Sequence, residues 1–141
     1  MTILTETLEL RSQGDFHAMN ITERVRAIVT RSGIREGHAL VYYQHTSGTV
    51  LIVEHEAGIL VDLQDVLDAI IPPDRDFTHH RRGYDFNGAA HLRTALLGVS
   101  VTIPVVDGDL LMGTYQEIIV IDFDKPDGIR TRRVTVQVSG E

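Results

Sequence analysis

The sequence predicts a single α+β domain, residues 1–141, in which a largely antiparallel or mixed β-sheet carries three helices. Three observations lead to this prediction. Hydrophobic residues make up 43% of the chain, which is enough to form a core. Segments with helical and with strand-like periodicity follow one another in the order β, α, β-β, α, α. From Val99 onward the chain reads as four strands separated by turns.

The first two elements are predicted to be a strand and a helix. Residues 2–11 alternate roughly between polar residues and Ile or Leu, which is typical of a strand. Asn20 and Glu23 have the spacing of a capping box at the start of a helix, and Gly33 is expected to end that helix. The apolar residues between them fall on one helical face: Ile21, Val25, Ile28 and Val29.

The middle of the chain is expected to contain two strands and two helices. His38–Val53 is rich in β-branched and aromatic residues, and Ser47-Gly48 within it indicates a turn, kink or bulge. Residues 58–71 have helical spacing and end at a Pro-Pro pair. A long polar loop, 72–87, follows, and loops of this length are often functional. Residues 88–97 are predicted to form the third helix.

The C-terminal strands are separated by two strong turn signals. Asp107-Gly108 predicts a hairpin, and Lys125-Pro126-Asp127-Gly128 predicts a second turn. The strands expected around these turns are 99–106, 109–115, 118–123 and 129–138.

Composition excludes several classes of function. The net charge of −7 argues against a general nucleic-acid binder, because affinity for phosphate backbones comes mainly from Lys and Arg. The absence of cysteine rules out disulfides and thiolate metal sites, so that His, Asp, Glu or water must hold any metal ion. No apolar run approaches the roughly 20 residues of a membrane helix. Residues 1–11 do not read as a secretory signal, and a cytoplasmic location is expected.

Three of the seven histidines are candidates for a metal site. His45, His79 and His91 each lie in a loop or at the end of a predicted element, and small or hydroxylic residues flank them. Three neutral imidazoles with one open position are typical of a catalytic zinc site. Thr46 and Ser47, next to His45, are then expected to contact a substrate.

Other polar residues admit both a functional and a structural interpretation. Glu54 follows an apolar strand and suits a metal ligand, a partner that orients an imidazole, a general base, or an exposed charge. Gly113-Thr114-Tyr115-Gln116 could face a polar ligand or form an ordinary strand. Arg130 and Arg132 share one face of the last strand, opposite Arg133. These arginines suit phosphate or carboxylate, or a charged edge strand that limits aggregation.

Taken in order, these residues resemble the YjbQ-like family, which is described as secondary thiamine-phosphate synthase and was long an uncharacterised family. The similarity runs from about residue 5 to residue 141. The segments that carry it are His45-Thr46-Ser47, Glu54, His79, Ala90-His91-Leu92, Leu96-Leu97-Gly98, Ile103-Pro104-Val105, Asp107-Gly108, Gly113-Thr114-Tyr115-Gln116 and Arg132-Arg133.

The resemblance implies a homotrimer that binds a divalent metal through histidines, with zinc expected and Mg²⁺ possible for synthase activity. His45, His79 and His91 match the family's histidine positions, and the choice of His79 over His80 rests on its spacing of 12 residues to His91. Glu54 and Gln116 match positions expected to be catalytic. Thr114 and Arg132 are expected to bind a small phosphorylated substrate. Tyr115 stands where the family usually has tryptophan.

Two functions of different classes follow. The resemblance implies a weak synthase that joins hydroxymethylpyrimidine pyrophosphate to a thiazole phosphate and releases pyrophosphate. Three histidines are a poor Mg²⁺ site, which favours metal-assisted hydrolysis as the main reaction, with Glu54 as base. The alternative is a non-catalytic trimer that binds a metal or another ligand. Neither function involves nucleic acid or a membrane.

Overall fold

The computed structural model describes residues 1–141, and its eight strands form two antiparallel sheets. The strands are β1 Thr2–Ser12, β2 His17–Asn20, β3 Gly37–Tyr43, β4 Gly48–Val53, β5 Ser100–Val106, β6 Asp109–Leu110, β7 Glu117–Asp122 and β8 Arg130–Gly140. The larger sheet has the order β1-β8-β3-β5-β6, and the smaller sheet has the order β2-β7-β4. The predicted α+β class is therefore confirmed, although the strands form two sheets and none of them pair in parallel.

The three predicted helices are present as α1 Thr22–Ser32, α2 Ala57–Ile70 and α3 Gly88–Leu97. Asn20 Oδ1 accepts a hydrogen bond from the Thr22 amide at 3.0 Å. Ile21, however, directly precedes α1, and Glu23 makes no return bond to Asn20, so the predicted capping box does not form. Gly33 ends the same helix in the left-handed conformation, with φ of 70°. A short 3₁₀ helix, Thr78–Arg82, interrupts the long polar loop. None of the helices is both long and apolar enough to cross a membrane.

Strand β7 lies at the centre of the packing. Its Ile118 and Val120 side chains enter the main core, which lies between the two sheets and α1. Ile119 and Ile121 point the opposite way, into a second cluster with Leu67 of α2. A strand buried on both faces must be apolar at successive positions, which explains why this segment does not alternate.

Three sequence predictions need correction. Residues 17–20 form a short strand that was not predicted, because they are too few to show a period. The predicted strand over residues 109–115 ends at Leu110, since the Gly113 amide donates to Gln116 Oε1 at 2.7 Å in a local turn. β8 is an inner strand between β1 and β3, so its arginines do not protect an edge.

The break between β3 and β4 positions the site. The chain leaves the larger sheet at Tyr43 and enters the smaller one at Gly48, so that residues 44–47 lie where the two sheets meet. At Gly48 a Cβ atom would lie 2.6 Å from the Tyr43 hydroxyl and 2.7 Å from the Ile121 carbonyl oxygen. Only glycine fits this close approach, which explains the predicted break at Ser47-Gly48.

Candidate functional site

A polar cleft of about 550 Å³ lies at this junction, and none of its lining residues is hydrophobic. It is formed by the 44–47 connection, the loop before α3, the start of α3, the loop after β7 and the start of β8. Its lining residues are Gln44, His45, Thr46, Ser47, His79, Arg82, Asp85, Asn87, His91, Asp124, Arg130 and Arg132. The cleft thus brings together the three predicted histidines and three of the four residues expected to contact substrate.

His91 is oriented by a backbone carbonyl. Its Nδ1 lies 2.8 Å from the Thr46 carbonyl oxygen, which can only accept a hydrogen bond. Nδ1 of the neutral ring therefore carries the proton, and the lone pair is on Nε2. A hydrogen bond from one ring nitrogen to a carbonyl is the usual way in which proteins orient a metal-binding histidine.

The structure places His79, and not His80, beside His91. The rings of His79 and His91 meet edge to face, with centroids 4.8 Å apart. His79 Nε2 lies 3.2 Å from Asn87 Oδ1 and 3.1 Å from Arg82 Nη2. His80 instead accepts from the Gly88 amide through Nε2, and its ring packs between two phenylalanine rings. His80 therefore has a structural role at the start of α3.

His45 lines the same cleft, but its Nε2 lone pair is already used in a hydrogen bond. Its Nε2 accepts a hydrogen bond from the Arg133 amide at 2.8 Å, so the lone pair is occupied and Nδ1 carries the proton of the neutral ring. Burial, and then the positive charge of Arg132, lower the pKa of His45 below its ordinary value. His45 is consequently neutral near pH 7, with its proton on Nδ1.

Charged pairs form the floor of the cleft. Asp122 is fully buried and binds Arg132 through both carboxylate oxygens, while Ser12 donates to the same carboxylate at 2.6 Å. Burial acts to raise the pKa of Asp122, but the hydrogen bonds from Arg132 and Ser12 outweigh it, so the pKa is lowered. Arg132 Nη2 also donates to Ser47 Oγ at 2.9 Å, which attaches the 44–47 connection to this floor.

A second pair links the floor to the histidines. Arg130 Nη2 lies 2.5 Å from Asp124 Oδ2, and Asn87 Nδ2 lies 3.4 Å from both oxygens of that carboxylate. Burial again raises the pKa of Asp124, but the Arg130 hydrogen bond helps to lower it overall. Since Asn87 also contacts His79, the chain from Arg130 to His79 is continuous.

The donor set fits a metal ion in part. No group of three or more His, Asp or Glu side chains in the structure is placed to hold one. His79 and His91 are in contact, and the proton position of His91 suits ligation. His45 would have to give up its bond to the Arg133 amide before its Nε2 could join them.

The remaining predicted residues lie at the other end of the smaller sheet. Gly48 pairs with Asp122 at the cleft, whereas Val53 pairs with Glu117 five residues further along. At ~3.3 Å per residue, Glu54 and Gln116 are therefore about 17 Å or more from the cleft within one chain. Thr114 is exposed in the turn beside Gln116 and does not line the cleft.

Sequence reasoning missed several residues of the cleft. Asn87 and Arg82 were recognised only as parts of a helix start and a polar loop, and Asp85 and Asp124 were not singled out. Asp122 offered the clearest sign, because it ends a strand of four consecutive buried apolar residues. A carboxylate in such a position must be paired, and Arg132 is its partner.

Comparisons with known proteins agree with this architecture. A sequence model of the family described as "UPF0047 protein YjbQ-like" matches residues 6–141. A UPF0047 protein of Methanothermobacter thermautotrophicus is 35% identical over 141 residues, which cover 100% of this chain and 95% of the relative. A UPF0047 protein of Archaeoglobus fulgidus is 38% identical over 130 residues, which cover 92% of this chain and 97% of the relative.

Solved structures show the same fold. A YbjQ-like protein of unknown function from Sulfolobus solfataricus superposes with a TM-score of 0.87 at 30% identity, covering 99% of each chain. A hypothetical protein from Aeropyrum pernix superposes with a TM-score of 0.89 at 28% identity, covering 98% of this chain and 99% of the other.

Proposed function

This chain belongs to the UPF0047 family of YjbQ-like proteins, and we propose that it binds a divalent metal ion in the histidine cleft and acts there on a small phosphorylated molecule. The observation that carries the proposal is the contact between His79 and His91, with His91 Nδ1 held by the Thr46 carbonyl. Imidazole nitrogens favour zinc over Mg²⁺, which prefers oxygen ligands.

The three proposed histidine ligands differ in how much each must change before it can bind a metal ion. His91 needs no change of proton position. His79 is already in contact with His91, but its Nε2 would have to leave Asn87 and Arg82 to bind a metal ion. His45 is the third proposed ligand and is the most costly to recruit, because its Nε2 accepts from the Arg133 amide. A bound zinc ion supplies Lewis acidity towards a phosphate oxygen or a bound water. Metal binding is therefore coupled to the backbone at Arg133.

The arginines of the cleft support a phosphorylated ligand. Arg82, Arg130 and Arg132 all line it, and guanidinium groups match phosphate geometry. Arg132 is committed to Asp122 and Ser47, and Arg130 to Asp124, so these two mainly set the local charge. Arg82 has no close carboxylate partner, since Asp85 lies 3.8 Å away, and its other contacts are with His79 Nε2 and the Tyr84 ring. It is therefore the arginine best able to turn towards a ligand.

Two reactions are compatible with this cleft. The first is the thiamine-phosphate synthase reaction that the family resemblance implies, in which pyrophosphate leaves a hydroxymethylpyrimidine and a thiazole phosphate takes its place. Arg82 would donate hydrogen bonds to the leaving pyrophosphate. The second is hydrolysis of a phosphorylated molecule. Within one chain Glu54 is too far from the histidines to act as base in either reaction.

Self-association would change the position of Glu54 and Gln116. α2 and α3 expose apolar side chains in a pattern that a partner could cover: Ile59, Val61, Val66, Ile70, Leu92 and Leu96. This exposure supports the homotrimer that the resemblance implies. If Glu54 and Gln116 take part in catalysis, they do so in the cleft of a neighbouring copy, because their own cleft is out of reach.

An activity assay tests the proposal. Purified protein would be loaded with zinc and tested for release of pyrophosphate or phosphate from hydroxymethylpyrimidine pyrophosphate, with and without thiazole phosphate. His91→Ala is expected to lose turnover, whereas His38→Ala, an exposed histidine outside the cleft, is expected to keep it. Turnover that is unaffected by His91→Ala would overturn the proposal. Stoichiometric zinc without turnover of either kind would favour the non-catalytic binding protein.

A further inference from the structure

A second cavity, of about 580 Å³, adjoins the histidine cleft. It lies between α2, the start of α3 and the 123–127 loop, and it shares Asp85, Asn87, Asp124 and Arg130 with the cleft. Its wall includes aromatic rings, among them Phe16 and Phe123, whose centroids are 5.5 Å apart. Nothing in the proposed metal chemistry uses this cavity.

The start of α3 leaves two amides without partners at this cavity. Asn87 precedes the helix, but its side chain contacts His79 and Asp124 and does not cap the helix. The Gly88 amide donates to His80, and the His91 amide donates to the Asn87 carbonyl. The Ala89 and Ala90 amides donate to no protein group, although both residues are buried and line the cavity. Buried amides of this kind need an acceptor.

Arg93 supplies a second, independent sign of a missing acceptor. It lies one turn after Ala89 and Ala90 on the same face of α3, and its side chain is only 8% exposed. Nη2 donates to Asp68 and to the Ile71 carbonyl. Nε is enclosed by protein atoms and has no partner, whereas Nη1 makes no hydrogen bond and is not enclosed. Nη1 is therefore the nitrogen of this guanidinium that is left for a ligand.

The carboxylates around the cavity do not exclude an anion. Asp68 is paired with Arg93, and Asp124 with Arg130. Asp15 is paired with Lys125, and Asp85 lies near Arg82. Asp127 alone lacks a cationic partner, and it is exposed at the rim. The unsatisfied groups inside the cavity are therefore donors, next to a helix N-terminus that favours negative charge.

We propose that this cavity is a second ligand site, which binds a small aromatic anion. The oxyanion accepts hydrogen bonds from the Ala89 and Ala90 amides and from Arg93, and the ring lies against Phe16 and Phe123. A carboxylate and a phosphate share this chemistry. The site is independent of the metal proposed for the histidine cleft, although a ligand here would contact Asn87 and Arg130, which both clefts share.

Nuclear magnetic resonance titrations of the whole protein with benzoate and with phenyl phosphate test this site. At least one of the two probes is expected to shift the Ala89 and Ala90 amide signals in a saturable manner, and the tighter one identifies the preferred head group. Inorganic phosphate, which lacks the ring, is expected to bind more weakly than phenyl phosphate.

Gln64→Glu is the discriminating variant. It adds a carboxylate to the cavity wall without changing the size of the side chain, and it is expected to lower the affinity for the probe about tenfold. Gln13→Glu makes the same change at an exposed position that lines neither cavity, and it is expected to leave affinity unchanged. Equal affinity of Gln64→Glu and wild type, or no shift at Ala89 and Ala90 with either probe, would overturn the proposal.

His91→Ala separates this site from the metal site. The variant is expected to lose zinc, because His91 is a proposed metal ligand. It is expected to retain probe binding, because His91 does not line the second cavity. If the wild type does not bind zinc, only the proposed function is refuted. If the probes do not shift the Ala89 and Ala90 amide signals, only the second site is refuted.

Discussion

Arg132 and Asp122 form a two-point ion pair beneath the histidine cleft, with Nε donating to Oδ2 at 2.9 Å and Nη2 donating to Oδ1 at 2.8 Å. Their side chains are 6% and 0% exposed. The pair joins the end of β7 to the start of β8, two strands that belong to different sheets. Arg132 therefore supports the cleft, and its substitution would disturb stability as well as ligand binding.

Replacing Asp122 with asparagine should destabilise the protein strongly. The change removes the two-point partner of a buried arginine and leaves it only Asp124, whose nearest oxygen is 3.9 Å from Nη2. Broken buried pairs typically cost about 3–5 kcal/mol. Urea unfolding followed by circular dichroism measures this loss. Asp127→Asn, at an exposed carboxylate without a cationic partner, is the matched control and should change stability by less than about 0.5 kcal/mol. Similar values for the two variants would show that the pair adds little.

The same pairs predict acid sensitivity. The pKa values of Asp122 and Asp124 are both lowered from the ordinary value of 3.8. A lowered pKa in the folded state means that these carboxylates stabilise the protein above pH 3.8 and lose that contribution as the pH falls through their folded values. Urea unfolding should show falling stability below about pH 4, with a shallower fall in Asp122→Asn. A parallel fall in both proteins would assign the sensitivity to other groups.

Substitution of Tyr43, unlike that of Asp122, is not expected to destabilise the protein. Its hydroxyl is buried without a hydrogen-bond partner, and burial raises its pKa well above the ordinary value. Tyr43→Phe removes the unsatisfied hydroxyl and keeps the ring, so the free energy of unfolding should be unchanged or up to about 1 kcal/mol higher. A loss of more than about 1 kcal/mol in chemical denaturation would show that the hydroxyl has a partner. Tyr42→Phe, on the exposed neighbour, is the control.

Arg82 and Arg81 provide a matched pair for the phosphate prediction. Arg82 lines the cleft and contacts His79, whereas Arg81 points elsewhere, with Asp76 as its nearest acid at 3.6 Å. Arg82→Gln should lower the affinity for inorganic pyrophosphate about tenfold, because a charge-assisted hydrogen bond to the ligand is lost. Thermal stability should not change, because the position is accessible. Arg81→Gln should bind pyrophosphate like wild type in titration calorimetry. Equal effects of both changes would indicate only general attraction.

Local patterns predicted most of the secondary structure. Helix α3 begins at Gly88 and ends at Leu97, as its apolar spacing and Gly98 indicated. The division into two sheets could not be predicted, because strand pairing depends on contacts between distant residues. Residues 38–53 read as one β-rich region, yet β3 pairs with β5 and β8 while β4 pairs with β7.

The site was predictable only where single residues carried a signal. His45, His79 and His91 do share a cleft, and Thr46, Ser47 and Arg132 line it with them. The ring nitrogen that carries the proton could not be predicted, because the partners of His91 and His45 are backbone groups 45 and 88 positions away in the sequence. Glu54 was linked to the histidines by its position after an apolar strand as well as by the family resemblance, and Gln116 by the resemblance. Strand register separates both from the histidines within the chain.

Zinc titration calorimetry on the wild type, His91→Ala and His38→Ala tests the central claim most directly. The wild type and His38→Ala should each bind one zinc ion per chain. His91→Ala should lose affinity by at least about a hundredfold, because it removes the ligand whose proton position already suits coordination. Equal zinc affinity in all three proteins, or no saturable zinc binding by the wild type, would contradict the proposal that these histidines form a metal site.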